Sequence, residues 1–196
     1  MTLRLKPVLF GIYLVFWGVM ALDPLYPDDW FLENILVFVS VPLIVLLERR
    51  YHLSDESAWY LFIFMMLHAV GSHYTYSHVP LFNTVWETLD FSRNHFDRLV
   101  HFLFGYLFML PLFEVLKKAG VEKKSALALA FFMMVSFSGL YEVMEWAVTE
   151  ITHSELGIAF LGVQGDVWDA QKDMALAFVG NILGIMRSIY VANRRV

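Results

Sequence analysis

His68, His73, Asp97, His101, Glu142, Glu145 and Asp173 lie within or beside long apolar segments of the chain. Imidazoles and carboxylates ligate divalent metals, relay protons and act as general acids or bases. Ionised groups next to hydrocarbon cost roughly a few kcal/mol each, so their retention points to a pathway, a bound ion or a catalytic centre. Spacing sorts them into sets. Asp97 and His101 are four apart and share one helical face; Glu142 and Glu145 are three apart and share another. Asp166, Asp169 and Asp173 follow helical spacing at the start of the last apolar segment, and Asn181 continues that stripe.

Pairs of this kind are what helical bundles turn inward to hold a metal. The expected ligands are His68, His73, His101, Asp169 and Asp173, with zinc the first expectation and manganese or iron as alternatives. Glu142, Glu145 and Asp97 are the expected catalytic carboxylates, one of them a general base toward an activated water. No H-E-x-x-H signature is present. Structural roles compete with this chemistry. Asp166 or Asp169 would cap the last helix, and Asp173 would complement its dipole. Asp97 would cap its own helix while Arg98 reaches headgroups. Glu142 and Glu145 would pair with Arg98 or Lys172. His78, His95 and His153 read as interfacial loop residues, and Glu114, beside Lys117 and Lys118, as a solvated boundary residue.

The elements that must position these residues are membrane helices. Hydrophobic residues make up 59% of the chain and charged ones 17%, against about 45–50% apolar in soluble domains. The apolar residues come in six blocks, which predict helices over about 7–22, 30–47, 58–73, 97–116, 125–147 and 170–192. A span needs about 20 apolar residues, and lipid admits only helices or closed barrels. The third block is short, but charge supports its crossing. With both termini on the inner side and six crossings, every Lys and Arg except Arg93, Arg98 and Lys172 falls inside or at the inner boundary. The expected fold is therefore all-α: one transmembrane domain over residues 1–196, a six-helix bundle, N-in and C-in. Its outer segment between the third and fourth helices is expected to lie partly in the interface, around Val85–Leu89.

The first block lacks a small-residue cleavage pattern and reads as a retained helix. The chain has no cysteine, which excludes disulfides, thiolate ligands and a Cys nucleophile. The inner basic residues are explained by topology and anionic lipid, so nucleic acid is not an expected partner. Gly139, Gly180 and Gly184 are small residues that would let helices approach closely.

Four stretches carry a resemblance to a known family: His68-Ala-Val-Gly-Ser-His73-Tyr-Thr-Tyr, Arg93-Asn-His-Phe-Asp97-Arg-Leu-Val-His101-Phe, Tyr141-Glu142-Val-Met-Glu145-Trp and Gly165-Asp-Val-Trp-Asp169-Ala-Gln-Lys-Asp173. Through them the chain resembles, over nearly its whole length, the DUF2238 (YjdF-like) family of bacterial inner-membrane proteins. The second half is more loosely similar to VanZ-like proteins: an acid four residues before His-Phe, a Glu on the next helix, then an Asp-rich start to a last helix with Asn181 and Gly184. The resemblance implies a multi-pass protein of the bacterial inner membrane. Three functions remain open at this point: a metal-dependent hydrolase or transferase on lipid or lipid-linked substrate at the outer leaflet, a cation- or proton-binding transporter, and a structural membrane protein.

Overall fold

A computed structural model of the chain describes residues 5–81, 93–152 and 163–194. The structure is all-helical, with six helices among the described residues: α1 Leu5–Met20, α2 Pro27–Tyr51, α3 Asp55–His73, α4 Phe96–Lys118, α5 Lys123–Thr152 and α6 Asp169–Arg194. Four of them, α2, α4, α5 and α6, are long and apolar enough to cross a membrane; α1 is apolar but shorter. The expected interfacial segment around Val85–Leu89, with Trp86, lies outside the described residues, as does His153.

Local chemistry sets the helix ends. Pro27 opens α2, with Asp28 and Asp29 in its first turn and Arg49 and Arg50 in its last, the charge order that the helix dipole favours. These polar turns extend α2 beyond its apolar stretch at both ends. Ser54 caps α3, its hydroxyl accepting the Ser57 N–H at 3.1 Å. The third helix stops at His73 rather than running on toward Tyr76, because Thr75 and Tyr76 take positive φ and turn the chain back. Tyr76 then lies against Gly71, where a Cβ would meet its ring at 2.4 Å.

The centre of the structure is α4, which packs on α2, α3, α5 and α6, most extensively on α6. That pairing is a backbone contact. A Cβ on Gly105 would lie 2.0 Å from the Ala177 carbonyl oxygen, and one on Gly180 would lie 2.0 Å from that of Phe102. A Cβ on Gly184 would lie 2.7 Å from Met109 Cβ and 2.9 Å from the Tyr106 carbonyl oxygen, whereas one on Gly139 would meet nothing nearer than Met174 Sδ at 3.8 Å. Gly180 and Gly184 thus do what their spacing suggests, Gly139 does not, and Gly105 completes the seam. By contrast, α2 is loosely held. Its buried residues are Asp29, Glu33, Asn34 and Val37, all in its N-terminal half.

Glu114 departs from its sequence reading. It is buried, accepting the Ser54 N–H at 2.8 Å and the Ser57 hydroxyl at 3.0 Å. The loop between α2 and α3 folds over it, so it fastens the start of α3 to α4 instead of facing solvent.

Candidate functional site

The glycine seam brings the first turns of α4 and α6 together, and with them Asp97, His101 and Asp173. Each offers one ligand atom, and the three atoms lie within 4.8 Å of one another. His101 sits between two carboxylates: its Nε2 is 3.5 Å from Asp97 Oδ1, and its Nδ1 is 3.5 Å from Glu142 Oε1. A metal ligand His commonly presents one nitrogen to the ion and the other to an orienting carboxylate. The arrangement fits that division, with Glu142 on α5 as the orienting group. Asp173 Oδ1 and Glu142 Oε1 are both buried and have no hydrogen-bond partner among the described residues. Orphaned carboxylate oxygens converging on an imidazole are a donor set suited to a divalent cation.

Above this group lies a layer of ion pairs. Arg93 is paired with Asp169, and Arg98 reaches Asp166 at 2.5 Å and Asp169 at 3.3 Å. Lys172 also contacts Asp166, at 2.6 Å. Lys172, the Trp168 backbone N–H and Arg98 together hold the Asp166 carboxyl well below the usual carboxylate range. His95, at the N-cap of α4, is shifted down by burial and by the neighbouring Arg98 and Arg93 charges. Arg98 links the two layers, its Nε lying 4.0 Å from Asp173 Oδ1.

Two acids that sequence reasoning passed over belong to the same region. Asp29 and Glu33 are one turn apart on α2 and almost fully buried. Glu33 accepts a hydrogen bond from the Tyr141 hydroxyl at 3.1 Å. Neither oxygen of Asp29 has a partner among the described residues. A signal was available: Asp29 and Glu33 stand four apart at the edge of an apolar block, as Asp97 and His101 do. Asp29 also suits a helix N-terminus, a reading that hides its burial.

A cavity of about 660 Å³ begins at this cluster. Asp97, His101, His68, Tyr76 and Tyr141 line one end; Leu47, Leu53, Val115 and Leu116 line the other. Its walls come from α2, α3, α4 and α5 and are otherwise almost wholly apolar. The Tyr141–Glu33 hydrogen bond joins α5 to α2 at the polar end. Beyond it, Val39, Leu43, Phe137 and Leu140 line the cavity yet remain 45–64% exposed, so it opens sideways between α2 and α5.

The sequence matches the DUF2238 family, described as "Predicted membrane protein", over residues 5–194. The chain belongs to the DUF2238 family. It is also 32% identical to the inner membrane protein YjdF of Escherichia coli (strain K12), over 95% of this chain and 91% of that one. No solved structure matches. The family match is to DUF2238; the looser VanZ-like likeness has no counterpart in it.

In this DUF2238 protein the expected site residues fall into four places. Asp97, His101, Glu142, Glu145 and Asp173 come together; Asp97, expected as a catalytic carboxylate, stands instead among the three candidate ligands, and Glu145 lies one turn from Glu142 on α5. Asp169 is instead engaged by Arg93 and Arg98, which turns it toward the ion-pair layer. Arg98 and Lys172 are committed to that layer and not to the two glutamates. His68 faces the cavity with its Nε2 unpartnered among the described residues, while the Tyr76 hydroxyl contacts its Nδ1 at 2.5 Å. His73 lies elsewhere, its Nδ1 bonding the Met20 carbonyl at 2.9 Å where α3 meets the end of α1. The N-cap position of α4 is His95, with Asn94 Oδ1 accepting the Phe96 N–H, so Asp97 stands inside the first turn and is not the cap. Asp166 Oδ1 accepts the Trp168 N–H in the turn before α6, three residues ahead of the first residue of that helix, so it orders the turn and does not cap the helix. His78 pairs with Thr75 in the turn after α3.

Proposed function

We propose that this protein is a metal-dependent hydrolase or transferase of the bacterial inner membrane, acting on a lipid or lipid-linked ester or phosphoester at the outer leaflet. The observation that carries the reading is the Asp97–His101–Asp173 group at the polar head of an apolar cavity that opens sideways. A transport path would need polar walls toward the opposite end, and there the lining is Leu47, Leu53, Val115 and Leu116.

In this reading all six helices cross, with both termini cytoplasmic. The Lys and Arg distribution supports that orientation, and the inner membrane location follows the name of the YjdF relative. Asp97, His101 and Asp173 hold a divalent cation, zinc first, which would supply Lewis acidity and an activated water. Glu142 fixes the His101 ring through Nδ1. Glu145, one turn further along α5, takes the proton from the attacking water and returns it to the leaving oxygen. His68 and Tyr76 present polar edges to the substrate near the scissile bond.

Metal analysis of protein purified without chelator tests this. About one equivalent of zinc, manganese or iron is expected, lost in His101→Ala and Asp173→Asn. Hydrolysis of phosphoester lipids should then require that metal and disappear in Glu145→Gln, which keeps it. Chelator-free protein without metal sinks the proposal, and so does metal that survives both ligand substitutions.

A further inference from the structure

The depth of the cavity is informative about what fills it. Along α4 its lining runs from Asp97 to Leu116, roughly 28 Å at 1.5 Å per residue. The hydrocarbon of a bilayer is about 30 Å thick, so each leaflet contributes about 15 Å. The tail of an ordinary phospholipid ends at the midplane and would leave the inner half of this cavity empty. The cavity is bounded by α3 and α4 on one side, and among the described residues its exposed lining, Val39, Leu43, Phe137 and Leu140, lies on α2 and α5. A diacyl lipid brings two tails to such an entrance.

The polar end points to the headgroup. Arg98 Nε is buried, has no hydrogen-bond partner among the described residues, and lies 4.0 Å from Asp173 in the candidate metal group. A guanidinium beside a divalent cation complements phosphoryl oxygens. We propose that the slot holds the single long chain of a phosphorylated polyisoprenoid lipid, its phosphate at the Asp97–His101–Asp173 end. This rests on the reading of that end as a cation site; the chain slot itself stands on the cavity alone. Ser138 and Ser40 matter here because both line the slot, and Ser138 is buried with its hydroxyl unpartnered among the described residues. A large side chain at either position would occupy the space the chain needs.

Binding by the full chain in nanodiscs, with undecaprenyl phosphate, farnesyl phosphate and dioleoyl phosphatidate as probes, tests the proposal. Undecaprenyl phosphate should bind about tenfold or more tighter than either of the others, because its additional chain is buried along the slot. Ser138→Phe should remove that preference while metal content stays as in the wild type. Ser40→Phe, on another helix, should do the same and serves if the first variant fails to fold. Equal binding of the three probes overturns the proposal, as does a preference untouched by both well-folded variants. Chain-length preference in protein that holds no metal would keep the slot and overturn the cation reading instead.

Discussion

At the level of single residues, the site is a concentration of acid with few bases to balance it. Asp29, Glu33, Glu142, Glu145 and Asp173 are all buried, and His101 is the base in direct reach of Glu142. Buried carboxylates without partners cost free energy, so each must be offset by a cation, a proton or a hydrogen bond. If Glu142 works through His101, Glu142→Gln should leave the ligands in place and weaken metal affinity by about 10–100-fold. Titration with a competing chelator would read this; an unchanged affinity would detach Glu142 from the metal group. Asp29 behaves differently, because nothing among the described residues satisfies it. Asp29→Leu should stabilise the protein by about 1–3 kcal/mol, the penalty of an unsatisfied buried group. A higher melting temperature in detergent is the expected result, and a lower one would show that the carboxyl is engaged. The pairs Asp97/His101 and Glu142/Glu145 were legible in the sequence because helical spacing alone places them on one face. Asp29 and Glu33 were not, because a carboxylate at a helix start is ordinarily solvated. Glu114 was misread for the converse reason: flanking lysines suggest water, while only the fold brings Ser54 and Ser57 over it.

Among the elements, α4 and α6 form the unit on which the site depends. The three candidate ligands come from these two helices, which meet through Gly105, Gly180 and Gly184. Gly180→Ala pushes a methyl into the Phe102 carbonyl and should cost about 1–3 kcal/mol or more. It should also separate Asp173 from His101 and lower metal affinity. Gly139→Ala is the internal comparison, its added methyl meeting Met174 Sδ at an ordinary 3.8 Å, and should be nearly neutral in both a thermal melt and a metal titration. The ion-pair layer secures the same two helices at their N-terminal ends. Its Asp166 carboxyl is held below its ordinary range, so its contribution is present above the unfolded value near 4 and fades as pH falls below it. Asp166→Asn should therefore melt below wild type at neutral pH, and the difference should shrink in acid; a constant difference would assign the effect to packing. Hydrophobic blocks located the six helices, four of which are long and apolar enough to cross a membrane. The extra turns of α2 at each end were not legible from apolarity, being set by proline and helix-end charges. Gly105 was missed for want of a second glycine at a recognisable interval.

For the molecule as a whole, the decisive asymmetry is of charge. Lys6, Lys118 and Arg187 make their contacts at one end of the bundle, to Glu48, the His52 carbonyl and Glu56. Arg93, Arg98 and Lys172 gather with the acids at the other. The chain has no cysteine, so single cysteines report sidedness without background. Asp23→Cys and Val167→Cys should react with a membrane-impermeant maleimide in intact spheroplasts, and Ala119→Cys only after permeabilisation. The reverse pattern would invert the orientation and place the site on the cytoplasmic side. Family membership and a membrane location were readable from the sequence, because motifs and composition carry both. The cavity was not, since it arises from the loose seating of α2, which no local pattern announces.

The sideways mouth between α2 and α5 has a kinetic meaning. Under the proposed function a substrate entering there would never leave the plane of the bilayer, so its encounters with the protein would be two-dimensional. The relevant concentration is then its mole fraction among lipids and not its amount per volume of solution. Adding inert detergent at constant total substrate should slow turnover by dilution within the micelle surface, while adding more buffer should change nothing.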